Sequence, residues 1–151
     1  MKLKIVIAAL ALLVGASIPA TSADKATKDE AKTIVGKAVA FIKSSGAEKA
    51  YAEFSNKTGS WVDRDLYVVV YGLDGTVLAH GANAKLIGKQ MIDAQDVDGV
   101  YYVKDRVELA KSKGEFWQDY KFVNPTTKKI EPKQMYCQRV GETAVCAGVY
   151  V

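Results

Sequence analysis

Asp65-Leu-Tyr-Val-Val-Val-Tyr-Gly-Leu-Asp-Gly-Thr-Val-Leu-Ala-His80 decides the fold. Leu66 to Tyr71 is rich in β-branched and aromatic residues, Asp74-Gly75 is a turn signal, and Thr76 to His80 resumes the strand pattern, so the stretch reads as a β-hairpin. A turn centred between Leu73 and Asp74 pairs Tyr71 with Thr76, Val69 with Leu78 and Tyr67 with His80. Alternation then gathers Leu66, Val68, Val70, Val77 and Ala79 on one apolar face and sets Tyr67 beside His80 on the other. An apolar face of that extent needs an amphipathic element to cover it.

Upstream lies a candidate for that cover. Ala31, Ile34, Val35, Ala38, Phe41 and Ile42 recur at helical spacing, and Gly46 marks a break. A shorter helix follows, with Ala47, Ala50, Tyr51 and Phe54 on one side. Downstream, residues 81–99 read as a loop with a helical turn from Ala84 to Ile87. Within it, Asp96-Val97-Asp98-Gly99 resembles part of a calcium loop, but Ala94 stands at the first ligand position and Asp105 at the last, so a helix N-cap and turn is the better reading. Val103, Val107 and Ala110 then sit at helical spacing before Gly114. Phe116 to Phe122 reads as a strand, and Gln134 to Val140 with Thr143 to Tyr150 as a hairpin around Gly141-Glu142. The order predicts an α+β fold: an antiparallel sheet of about five strands with helices segregated to one side.

Counting outward from Gly141-Glu142 puts Lys133 opposite Tyr150 and Cys137 opposite Cys146, the latter as a non-hydrogen-bonded pair in which side chains approach closely. A Cys137–Cys146 disulfide is the expectation, with two free buried thiols as the other reading. No metal site is expected, since the chain offers two sulfurs and one histidine.

The N-terminus carries Lys2 and Lys4 before the apolar run Ile5 to Val14, then small residues up to Ala23, the pattern of a secretory signal peptide over residues 1–23 with cleavage after Ala23. The run is too short for the roughly 20 residues of a membrane span. One domain, 24–151, remains, in the periplasm or secreted, with no membrane span of its own. Of the formal charge of +4, Lys2 and Lys4 supply half, and the rest of the chain balances 19 basic against 17 acidic residues. That is too little, and too scattered, for a nucleic-acid partner.

Together Asp65 to Tyr71, Asp74 to Gly81, Leu86-Ile-Gly-Lys89, Asp96-Val-Asp-Gly99, Gly114-Glu-Phe-Trp-Gln-Asp-Tyr120, Asn124-Pro125, Lys133-Gln-Met-Tyr136 and Gly148-Val-Tyr150 resemble the single Cache domain family of bacteria, type 2. The resemblance spans about Ala31 to Val151 and rests on the order of many short elements. It implies a PAS-like fold, a long N-terminal helix on one face of a five-stranded antiparallel sheet. It also implies extracytoplasmic sensing of a small molecule, often a short organic acid, between the free sheet face and the crossover loop. A membrane receptor or kinase is the signalling partner it implies, because nothing after Val151 reads as an output module. The competing expectation is a structural or interaction protein of the periplasm that keeps the fold without a functional pocket.

A short carboxylate needs convergent donors and an aromatic wall. The candidate donors are Tyr67, His80, Tyr120, Lys133 and Tyr136, with Trp117 as the wall. Strand alternation points Trp117 away from Tyr120 and Lys133 away from Tyr136. Tyr67 with His80 is the firmest pair, and Lys133 the charge partner. No cofactor is implied. Enzymatic activity is not expected: His80 is the sole histidine, and no nucleophile elbow, phosphate loop or zinc-helix motif occurs.

Overall fold

The computed structural model describes residues 24–151; the predicted leader, 1–23, lies outside the described residues. Helix α1 spans Lys28–Ser45 and opens with a capping box, in which the Thr27 Oγ1 accepts from the Glu30 amide at 3.3 Å and a Glu30 carboxylate oxygen accepts from the Thr27 amide at 2.7 Å. It ends at Gly46, whose φ of 84° is one that glycine adopts without strain. Helix α2, Ala47–Phe54, follows at once.

The strands are β1 (Val62–Asp63), β2 (Leu66–Gly72), β3 (Val77–His80), β4 (Glu115–Val123), β5 (Ile130–Val140) and β6 (Thr143–Tyr150), with helix α3 (Tyr102–Lys113) between β3 and β4. All pairings are antiparallel, in the order β1-β2-β6-β5-β4, and β3 lies along the same edge of β2 as β1. Apart from the two-residue β1, this is the expected five-stranded α+β architecture.

Two layers of core result. Under α1 and α2, Val35, Ala38, Ala50 and Phe54 pack on Leu66, Val68, Val70, Ala79, Val145 and Ala147. On the opposite face, Tyr102, Val103, Val107 and Ala110 of α3 pack on Tyr67, Val69, Tyr71, Val77, Cys146 and Tyr150. The helices are therefore not segregated to one side. The chain leaves β3 at one edge of the sheet and re-enters as β4 at the other, and α3 covers the face it crosses.

The first hairpin also departs from its expected register. Val69 pairs with His80, Val70 with Ala79 and Tyr71 with Val77, with a bulge after Val70. The turn is wider than the Asp74-Gly75 signal implied: the Gly72 amide donates to the Thr76 carbonyl at 2.8 Å, and Asp74 Oδ1 accepts from the Thr76 amide at 2.9 Å. His80 thus moves two residues along β2, an even step that keeps it on the Tyr67 face. The bulge reverses parity beyond it, so Val77 joins the α3 face and Leu78 the α1 face.

The second hairpin has the expected register, with Lys133 opposite Tyr150 and Cys137 bonded to Cys146. Asp96 forms a turn, its Oδ1 accepting from the Asp98 and Val100 amides, but it caps no helix, because α3 begins only after Tyr101.

Candidate functional site

Lys133 lies on β5 between Tyr120 of β4 and Tyr150 of β6, and its side chain crosses β6 over Gly148. A Cβ at Gly148 would stand 2.7 Å from Lys133 Cε, so only glycine leaves room for the stem. The buried Nζ donates to Tyr67 Oη at 2.8 Å and to Tyr150 Oη at 3.2 Å, and it lies 4.0 and 4.5 Å from the two ring centroids. None of the ion pairs among the described residues includes it. Burial pushes its pKa well below the usual lysine value; the charge of Arg106 adds to this and Asp65 opposes it.

His80 ends β3 with its ring stacked on Tyr67 at 5.1 Å. Its Nδ1 accepts from the amides of Ala82 and Asn83 at 3.2 and 3.0 Å, which places the ring proton on Nε2. Burial first, and the Lys133 charge second, hold its pKa down to about 3, so at neutral pH it is an uncharged donor.

Arg106 completes the group. It sits one turn into α3 with its guanidinium 4.7 Å from the Tyr71 ring, 4.9 Å from Tyr120 and 5.6 Å from Tyr102. Its Nε donates to Gln118 Oε1 at 3.0 Å, and Gln118 in turn donates to the Tyr102 carbonyl at 2.8 Å. Nη1 and Nη2 are buried and have no partner, alone among the buried side-chain polar atoms of the described residues. Leaving charged donors unpaired in a dry interior costs several kcal/mol. The phenols of Tyr67 and Tyr120 are shifted well above the ordinary tyrosine value, chiefly by burial, and so stay neutral and supply no counter-charge.

Four of the six predicted binding residues, Tyr67, His80, Tyr120 and Lys133, therefore meet on the α3 face. Trp117 and Tyr136 do not. They pair with each other across β4 and β5 on the α1 face, with rings 5.3 Å apart beneath Lys28 and Lys32. Strand alternation is the reason, as the sequence already required. Arg106 and its cage partners Tyr71 and Tyr102 were not anticipated. The available signal was an arginine inside the stripe Tyr102, Val103, Val107, Ala110, where a surface cation does not belong.

A cleft of about 230 Å³ opens beside this group, with Gln95, Asp96, Tyr102, Lys121, Phe122 and Ile130 among its lining residues. The Tyr102 and Phe122 rings, 6.0 Å apart, stand between it and the buried cations. A larger groove of about 560 Å³ lies between α1 and the β1 edge, and its charged walls are the acids Asp29, Glu30 and Asp63 with the exposed Lys37, so acids outnumber cations there. The arrangement on the α3 face is thus a donor array without an acid. Among the described residues there is no cluster of three His, Cys, Asp or Glu side chains suited to a metal, and both thiols are tied in the disulfide.

Comparison with known proteins places this geometry. Residues 2–149 match the family model described as single Cache domain 2. A methyl-accepting chemotaxis protein from Vibrio parahaemolyticus is 22% identical, with 82% of this chain and 87% of that chain covered at a TM-score of 0.69. A periplasmic sensor domain of a chemotaxis protein is 19% identical, covering 82% and 89% at 0.65. A Cache chemosensory domain described for its carboxylic acid recognition is 23% identical, covering 82% and 87% at 0.65. At these identities the likeness shows a shared fold. No curated protein matches the sequence.

Proposed function

This chain belongs to the single Cache domain 2 family, a family of ligand-binding sensor domains, and we propose that it binds a short organic acid outside the cytoplasm, with Arg106, Lys133, His80 and Tyr67 as donors. The observation that carries this reading is the Arg106 guanidinium, whose two terminal nitrogens are buried without a partner. A carboxylate accepts the pair in a bidentate fork and supplies the missing charge. Tyr67 and His80 contribute neutral donors, and the Tyr71, Tyr102 and Tyr120 rings supply the walls. The carboxylic acid recognition described for one structural relative is of the same chemical class.

The reading is that of a binder: the array is built of hydrogen-bond donors suited to holding an anion. Export follows from the leader read over residues 1–23, with cleavage after Ala23. No helix among the described residues is long and apolar enough to cross a membrane. A membrane receptor or kinase would then read the bound state.

The test is a thermal-shift screen of the purified protein against short organic acids, amino acids and amines. A ligand at about 100 times its Kd adds roughly 2.7 kcal/mol, a shift of several degrees for a domain of this size. Acids alone should raise the melting temperature, and Arg106→Met should abolish the response. If no class of compound shifts wild type, the fold is kept for interaction in the envelope instead.

A further inference from the structure

We propose that capture of the acid is coupled to uptake of a proton by Lys133, so that the site binds a carboxylate and a proton together. This rests on the carboxylate reading above and adds the protonation state in which the site operates.

The argument begins with a count of donors and acceptors. Tyr150 Oη donates its only proton to the Val123 carbonyl at 2.8 Å, so toward Lys133 and Tyr67 it acts as an acceptor. A charged Lys133 carries three N–H groups, of which two reach Tyr67 Oη and Tyr150 Oη. The third meets only aromatic surface, with Phe122 at 5.9 Å completing the enclosure. A neutral amine fits better: it donates to Tyr150 and accepts the Tyr67 proton, and the one N–H left against the aromatic surface then carries no charge.

The surrounding charges agree. From β2 the amine faces Tyr67, from β6 Tyr150, and from β4 Tyr120 and Phe122, none of them anionic. His80, on β3, is stacked on Tyr67 and acts on Lys133 through that ring, while α3 contributes Arg106, a like charge. The nearest acids are engaged elsewhere: Asp65 accepts from the Ala26 amide, Glu131 on β5 itself bonds Asn124 and Thr127, and Asp96 in the crossover loop bonds the Lys121 amide. A second cation buried beside Arg106 with no acid between them would be repelled. The downward shift of Lys133 comes from burial first and from Arg106 second. A carboxylate seated on Arg106 reverses this field, because Tyr120 both carries the guanidinium on its ring and pairs with Lys133 across the strands. The amine then gains a counter-charge and takes a proton from solvent. No bond is made or broken beyond that one N–H.

Calorimetry tests this with straight-chain monocarboxylates from acetate to butyrate, titrated into the purified protein in two buffers of different ionisation enthalpy at one pH. Where the amine is neutral in the free protein and charged in the complex, uptake should approach about one proton per acid bound, and affinity should fall about tenfold per pH unit as pH rises. Lys133→Met should bind more weakly, having lost a donor, and its binding should show neither uptake nor that slope. His80→Gln should weaken binding through loss of the imidazole donor yet keep the uptake and the slope of what binds, which assigns the proton to the amine and not the imidazole. Equal heats in the two buffers, or uptake that survives in Lys133→Met, would overturn the proposal while leaving the carboxylate reading intact. Failure of every acid to bind would overturn both. If Lys133→Met does not fold, the buffer pair on wild type and on His80→Gln still decides.

Discussion

On the face covered by α1 and α2, the sheet presents Val68, Val70, Val145 and Ala147, all fully buried, and its polar side chains lie at the margins. On the face covered by α3, β2, β4 and β5 present Tyr67, Tyr71, Tyr120 and Lys133, with His80 of β3 beside them and Arg106 of α3 above. Alternate residues of β2 and β5 thus serve opposite ends. The first face stabilises the fold through apolar burial, about 25 cal/mol per Å² removed from water. The second buries the Arg106 guanidinium and the Lys133 amine among neutral partners, an arrangement that costs stability. The teaching of the contrast is that a period-two strand lets one sheet carry an apolar core on one side and a cluster of buried polar groups on the other.

Substitutions on the two faces should therefore differ in sign as well as size. The largest effect is expected at Phe54, fully buried and 4.7 Å from the Trp61 ring: Phe54→Ala should cost about 3–5 kcal/mol in urea unfolding. Next comes the disulfide between the two central strands. Replacing Cys137 and Cys146 by alanine together should cost roughly 2–3 kcal/mol by the loop-closure argument, with the unchanged chain showing no free thiol to a labelling reagent after denaturation without reductant.

Acid should then act through the α3 face. The unfolded imidazole titrates near 6.5 and the folded one is held to about 3, so below the upper value the unfolded state binds the extra proton. Stability is full above about pH 6.5 and falls by about 1.4 kcal/mol per pH unit toward pH 3, a slope that His80→Gln should flatten in unfolding curves. The smallest effect should have the opposite sign. Arg106→Met removes two unpaired buried donors and should leave stability unchanged or raise it by about 1–2 kcal/mol, while abolishing the response to acids. A large loss there would erase the distinction between the two faces.

Much of this was legible from residues alone. The β5–β6 register, and with it the Lys133–Tyr150 and Cys137–Cys146 pairings, follows from a tight turn at Gly141-Glu142 and the period of a strand. The β2–β3 register did not follow, because Asp74 closes the turn with its side chain onto Thr76 and the bulge after Val70 absorbs a residue. The error was an even number of residues, so Tyr67 and His80 still share a face and their rings still meet. Trp117 and Tyr136 were drawn toward the site by their chemistry although alternation placed them on the far face. Arg106 escaped notice because a charged side chain on a helix is ordinarily solvated, and a one-dimensional pattern says nothing of what lies above it.

The sequence by itself determined the order of the main elements, the alternation that splits the sheet into two faces, the second hairpin with Cys137 opposite Cys146 and Lys133 opposite Tyr150, and the shared face of Tyr67 and His80. These are local or periodic properties, set by neighbours within a few residues. Only the tertiary structure decided that α3 crosses the second face and carries Arg106 to the Tyr71, Tyr102 and Tyr120 rings. That outcome depends on β3 and β4 lying at opposite edges of the sheet, so the helix joining them must cover the face between them, whatever charge it carries.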